Sequence, residues 1–120
     1  MRPLVFRREG GNMQYKLKTT KDDLYSKGFH YNKLMSDETD FYSMRFPVHK
    51  YKKTTTLECE LAVELQTGNI TINIFNYGTN EIYTPFYNLE YGRYAILDSI
   101  NKAIEDQLKK IGAKEVERNE

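Results

Sequence analysis

The chain has no tryptophan, one cysteine and three prolines, and no apolar run approaches the length of a membrane span. A single cysteine cannot close an intrachain disulfide, which excludes a secreted, disulfide-built scaffold. Neither sign of charge is in excess. Lys and Arg number 18 against 17 Asp and Glu, a net charge of +1, too little for a strongly basic nucleic-acid module. Also missing are a Gly-rich phosphate loop, a CxxC pair, an HExxH helix and a GxSxG elbow, so no cofactor and no metal are expected. What is present is 39% apolar and 29% charged residues, which argues against disorder. The 120 residues make one domain, long enough to bury roughly two-thirds of the unfolded surface.

Residues 1–12 read as a non-native leader or a disordered arm. Leu4–Phe6 is too short for the apolar core of a signal peptide. Glu9-Gly10-Gly11 can be encoded by a purine-rich stretch resembling a ribosome-binding site just before Met13. Met13 is therefore expected to be the native start. The rival reading is a basic arm of Arg2, Arg7 and Arg8. A single α+β domain is expected over 13–112, followed by a charged, frayed tail over 113–120.

Met13, Tyr15 and Leu17 alternate with polar neighbours and predict a short strand. Thr20 caps a two-turn helix with Asp22 and Asp23 at its positive end, and Gly28 stops it. A weak strand signal covers Tyr31–Met35, then Ser36–Asp40 is a polar turn. Phe41–Val48 places Tyr42, Met44, Phe46 and Val48 on one face. Pro47 lies on the other, where an edge or a bulge is expected. The clearest element is Thr54–Leu65, in which Leu57, Cys59, Leu61, Val63 and Leu65 alternate with Glu58, Glu60, Ala62 and Glu64. Gln66–Asn69 turns the chain into a strand lined by Ile70, Ile72 and Ile74. Asn76–Asn80 is a second turn, and Glu81–Tyr87 a last strand containing Pro85. A final helix carries the stripe Leu97, Ile100, Ala103, Ile104, Leu108 and Ile111, with Gly112 as its stop. The expected architecture is one antiparallel meander of about four strands, with the C-terminal helix and the short N-terminal helix on one face.

Few groups point to chemistry. Cys59 with His30 or His49 has the residue types of a thiol nucleophile and base, but Cys59 lies on the apolar face of the best strand, so a core thiol is expected. Asp37, Glu38 and Asp40 lack the spacing of a calcium loop. Glu58, Glu60 and Glu64 read as a solvated strand face rather than paired acid–base carboxylates. The turn His49-Lys50-Tyr51-Lys52-Lys53 interleaves cations with an aromatic ring, the chemistry of phosphate contact plus base stacking. The densest feature is the cluster Tyr83, Phe86, Tyr87, Tyr91 and Tyr94, with Asn88, Glu90 and Arg93. Tyr and Arg are preferred interface anchors.

The chain is rich in Lys, Tyr, Asn and Ile. It carries the run Phe46-Pro47-Val48-His49-Lys50-Tyr51, the Leu65-Gln66-Thr67-Gly68 hairpin and a lone terminal helix. In these traits, over residues 13–112, it resembles the small uncharacterised accessory proteins of Gram-positive phages and conjugative elements. That resemblance implies a cytoplasmic protein that blocks or modulates another macromolecule by surface contact, and it assigns no individual residue. The expected function is thus a non-enzymatic module binding a protein partner, or a second copy of itself, through Tyr83, Phe86, Tyr87, Tyr91 and Arg93 near the Pro85 edge. The alternative is weak binding of single-stranded nucleic acid through His49, Lys50, Tyr51, Lys52 and Lys53. No membrane contact is expected.

Overall fold

A computed structural model describes residues 7–8, 11–83 and 94–117, with side chains described over 15–83 and 98–116. The element order is β1 (Arg7–Arg8), β2 (Gly11–Lys16), α1 (Lys21–Ser26), β3 (His30–Tyr31), β4 (Phe41–Tyr51), β5 (Thr54–Glu64), β6 (Ile70–Asn76), α2 (Tyr94–Lys110) and β7 (Lys114–Glu117). The fold is α+β, as the periodicities predict.

Alternation in β5 sets the main sheet. Leu57, Cys59, Leu61 and Val63 face inward and are buried, while Glu58, Glu60 and Glu64 are half-buried on the other face. The antiparallel register stacks matching side chains across three strands: Tyr42, Val63 and Ile70; Met44, Leu61 and Ile72; Phe46, Cys59 and Ile74. A slip of one residue would turn each of these apolar sets to solvent, so the pairing is strongly specified. The sheet order is β3-β4-β5-β6. On its inner face α2 contributes Ile100, Ile104 and Leu108, the turn after it contributes Ile111, and the α1 region contributes Leu24 and Phe29. All belong to one continuous core with Tyr15 and Leu17.

The bulge expected around Pro47 is present. Pro47 pairs with Glu58 and His49 with Leu57, leaving Val48 as an extra residue; Lys50 then pairs with Thr55, so an extra Thr56 on β5 restores the register. β3 pairs with β4 only at Tyr42 and Ser43, so at Pro47 no described strand borders β4 on its far side. Both described helices stop at the expected glycines by the same device. Gly28 (φ +96°) and Gly112 (φ +86°) occupy the left-handed region that other residues enter only at a cost. The amides of Phe29 and Ala113 donate back to the carbonyls of Leu24 and Leu108, and those of Gly28 and Gly112 to Tyr25 and Lys109. This is the Schellman pattern, and the buried Phe29 seals the first of the two ends. At the start of α1, Thr20 accepts from the Asp23 amide at 3.2 Å, as its capping role requires.

Three features depart from the sequence reading. The fourth strand of the main sheet is the two-residue β3, whereas Glu81–Tyr87 only begins to pair. Ile82 bridges Phe75, the Tyr83 amide donates to the Ile74 carbonyl at 2.9 Å, and 84–87 lie outside the described residues. Lys114–Glu117, expected as part of a frayed tail, forms β7 against β2, with Tyr15 opposite Glu115 and Lys16 opposite Lys114. Its side chains alternate charged and apolar too weakly to announce a strand, and its stability comes from backbone pairing with a segment a hundred positions away. Arg7–Arg8, within the stretch read as a leader, pairs with Gly11–Asn12, giving a second sheet of order β1-β2-β7. The Leu17 amide donates to the Gly68 carbonyl at 2.8 Å and ties this sheet to the β5–β6 turn.

Ile104 is fully buried at the middle of the α2 stripe. Ile104→Ala should lower unfolding free energy by about 3 kcal/mol, with the denaturant slope unchanged, in urea titrations.

Candidate functional site

Catalytic chemistry finds little footing. Cys59 is fully buried between Phe46 and Ile74, and burial, reinforced by the Glu60 carboxylate beside it, pushes its thiol well above the ordinary value. His30 is exposed on β3, and His49 stands opposite Leu57 at the bulge. The structure therefore holds Cys59 as core.

Glu58, Glu64 and Asp40 are occupied with structure. Arg45 reaches from β4 across β5: its Nε lies 3.4 Å from Glu58 Oε1, its guanidinium sits 5.0 Å from the centroid of the Phe75 ring, and Nη2 donates to Asn80 at 3.0 Å. Glu64 accepts from Thr67 and, at 2.7 Å, from Thr39. Those two hydroxyls, Thr67 foremost, hold its carboxyl below the usual range. Asp40 and Gln66 bond reciprocally, backbone amide to side-chain carbonyl and side-chain amide to carboxylate, which pins the 36–40 turn to the end of β5. Among the described residues, no three His, Cys, Asp or Glu side chains are grouped to hold a metal ion. No helix among them is long and apolar enough to cross a membrane.

The basic turn is where the sequence puts it. Tyr51 and Thr54 pair, leaving Lys52 and Lys53 as a two-residue hairpin loop. Lys52 sits at φ +57°, where the first central residue of such loops is usually glycine. Tyr51 is 67% exposed, and the Lys52 ammonium lies 5.6 Å from its ring centroid. Next to this tip, Pro47, Val48, His49, Lys50 and Ser99 line an open hollow of about 360 Å³.

The predicted aromatic anchors fare differently. Tyr83 is half-buried and packs on the core. Phe86, Tyr87, Tyr91 and Arg93, with Pro85, lie outside the described residues, so no contact surface there enters the description. A second aromatic cluster, which linear reading missed, lies at the opposite end of β4. Tyr42 is buried at its centre. Tyr25 of α1 and Tyr31 of β3 meet it edge-on, at centroid distances of 5.6 and 5.5 Å, and His30 meets Tyr25 at 6.4 Å. Burial, then the neighbouring Tyr25, Asp40 and Tyr31, push the Tyr42 phenol up. Tyr25 and Tyr31 remain 49% and 46% exposed, and Leu34 beyond them is 99% exposed. The turn carrying Leu34 is tightly held. Asn32 accepts from the Met35 amide through its side chain and from the Ser36 amide and hydroxyl through its carbonyl, and Ser36 Oγ accepts from the Phe41 amide. The available signal was the pairing of Tyr31 with Tyr42 once 32–40 is taken as a hairpin connection; Tyr25 joins only through the docking of α1.

No family model matches the sequence, and no curated protein matches it. Among solved structures, the fold is similar to that of a DUF1831 family protein from Lactobacillus plantarum, with a TM-score of 0.51 at 9% identity, over 89% of this chain and 90% of that one. At that identity the likeness is one of fold alone.

Two measurements check these assignments. Cys59 should fail to react with an aromatic disulfide reagent in buffer and react fully in denaturant; rapid native labelling would contradict its burial. The Glu64 carboxyl has a lowered pKa in the folded state, so its contribution is complete above the unfolded value and disappears as pH falls through the folded one. Glu64→Gln should therefore be less stable than the parent at pH 7, and the difference should shrink in thermal melts as pH falls below the ordinary glutamate range.

Proposed function

We propose that this protein is a non-enzymatic binding module that modulates a partner protein through the aromatic end of its main sheet. One observation carries the reading: Tyr25 and Tyr31 stand half-exposed on the buried Tyr42, and the internally bonded turn that follows Tyr31 presents a fully exposed Leu34. A leucine held in water on an ordered turn contributes nothing to the core, and tyrosines propped edge-on lose little entropy when a partner covers them. Rigid tyrosines and an apolar knob are the anchors that dominate protein interfaces. Cytoplasmic action as a phage or mobile-element modulator is the setting suggested by the composition and layout of the chain.

A second reading rests on the tip of the β4–β5 hairpin. A lysine in a conformation that favours glycine, capping an exposed tyrosine ring among Lys50 and Lys53, suits the phosphates and bases of a single strand.

Tagged protein recovered with its partner from host extract, then titrated in purified form, separates the two. Leu34→Ser should weaken partner binding by about tenfold with the urea midpoint nearly unchanged, while Lys50→Gln, Lys52→Gln and Lys53→Gln together leave it intact. Loss of binding only in the lysine variant, with affinity falling steeply in salt, would transfer the function to the hairpin tip.

A further inference from the structure

The hollow between the end of β2, the end of α2 and the start of β7 belongs to neither surface. Lys16, Leu17, Lys18, Gly112, Lys114 and Val116 line it, and it encloses about 250 Å³. We propose that it binds a phosphate dianion, either free or as the headgroup of a small phosphomonoester.

The register creates the site. Lys16 and Lys114 are directly opposed across an antiparallel pair, so both side chains emerge on one face, a like-charge pairing that an anion between them would ease. Lys18 adds a third cation. Alternation sends the neighbouring pair to the other face, where the Tyr15 hydroxyl donates to Glu115 at 3.1 Å. No carboxylate of the described residues lines the hollow. The floor is apolar, from Leu17 and Val116, and the wall at Gly112 is open, since a β-carbon there would meet nothing within 4 Å. The C-terminal end of α2 is the unfavourable neighbour, because its dipole is negative there. That field is opposed on two counts: the carbonyls of Leu108 and Lys109 accept amides of the closing turn, and Lys109 and Lys110 stand in the last turn. Three lysines lining one small concave surface match a compact, doubly charged oxyanion with several acceptor oxygens better than a lone carboxylate or chloride.

The test is an amide NMR titration of the full chain with sodium phosphate at pH 7.5, alongside sodium chloride and sodium acetate at matched ionic strength. Saturable shifts confined to residues 16–18 and 112–116, with phosphate alone, are expected. Phenyl phosphate supplies the second arm. Tighter binding than inorganic phosphate identifies a phosphomonoester whose organic part lies on Leu17 and Val116, and equal binding identifies the free ion. Lys114→Gln should weaken either by about fivefold, and Lys16→Gln with Lys114→Gln should abolish saturation while the spectrum stays dispersed. Lys18→Gln, outside any strand, provides the same comparison if the double variant fails to fold. Shifts that chloride reproduces, that never saturate, or that survive the lysine substitutions overturn the proposal. So would an oligonucleotide binding the hollow where phosphate does not.

Discussion

Everything in this molecule depends on the mutual burial of two surfaces that cannot exist separately in water. One is the aliphatic side of the β4–β5–β6 ribbon, the other the Ile100, Ile104 and Leu108 stripe of α2, with Ile111 in the turn after it. A helix of α2's length is marginal alone, and a three-stranded ribbon with an uncovered apolar face invites aggregation. Each fully buried aliphatic side chain gains about 1.5–3 kcal/mol from leaving water, so the contact outweighs any single polar interaction in the chain. The polar bonds act differently. Arg45 across to Glu58, Phe75 and Asn80, and Asp40 with Gln66, fix the outer face and the turns without supplying the driving force.

The second constraint is at the ends of the chain. Gly112 stops α2 in a left-handed turn, and the redirected chain pairs with β2, which is itself tied to the β5–β6 turn through Leu17 and Gly68. β2 and β7 are thereby joined to each other and to the main sheet. The lysine hollow is a by-product of this closure: it exists only because the register of a terminal pair sets Lys16 against Lys114.

How much of this could be read from the sequence follows from the range of the signals. Strand alternation in β5 and β6, the helical stripe, the Thr20 cap, the glycine stops and the irregularity at Pro47 are all encoded within a few residues, and all are found. The basic hairpin tip was legible for the same reason, being contiguous. β7 was not, because charged side chains in a four-residue strand carry almost no periodicity and its partner is the other end of the chain. Tyr25, Tyr31 and Tyr42 come from three elements, so their convergence required the docking of α1 and the β3–β4 register. The denser run from Tyr83 to Tyr94 is the stronger signal along the chain, yet its one described tyrosine side chain, Tyr83, packs on the core.

The disposition of reactive groups bears on why binding, rather than turnover, is the reading favoured above. General acid–base or nucleophilic chemistry needs a titratable group that is both reachable and free to change its charge. Here the thiol is sealed in the core, Glu64 is committed to two threonine hydroxyls, and Glu58 to Arg45. Exposed on the scaffold are groups suited to contact: tyrosine rings held by other rings, a leucine on a bonded turn, and lysines gathered by strand register. A small rigid sheet positions such groups before any partner arrives, so that association need order little else. Cys59 stands apart from these exposed groups: it is packed with Phe46, Leu61 and Ile74 in the core and could reach solvent only by exposing them as well.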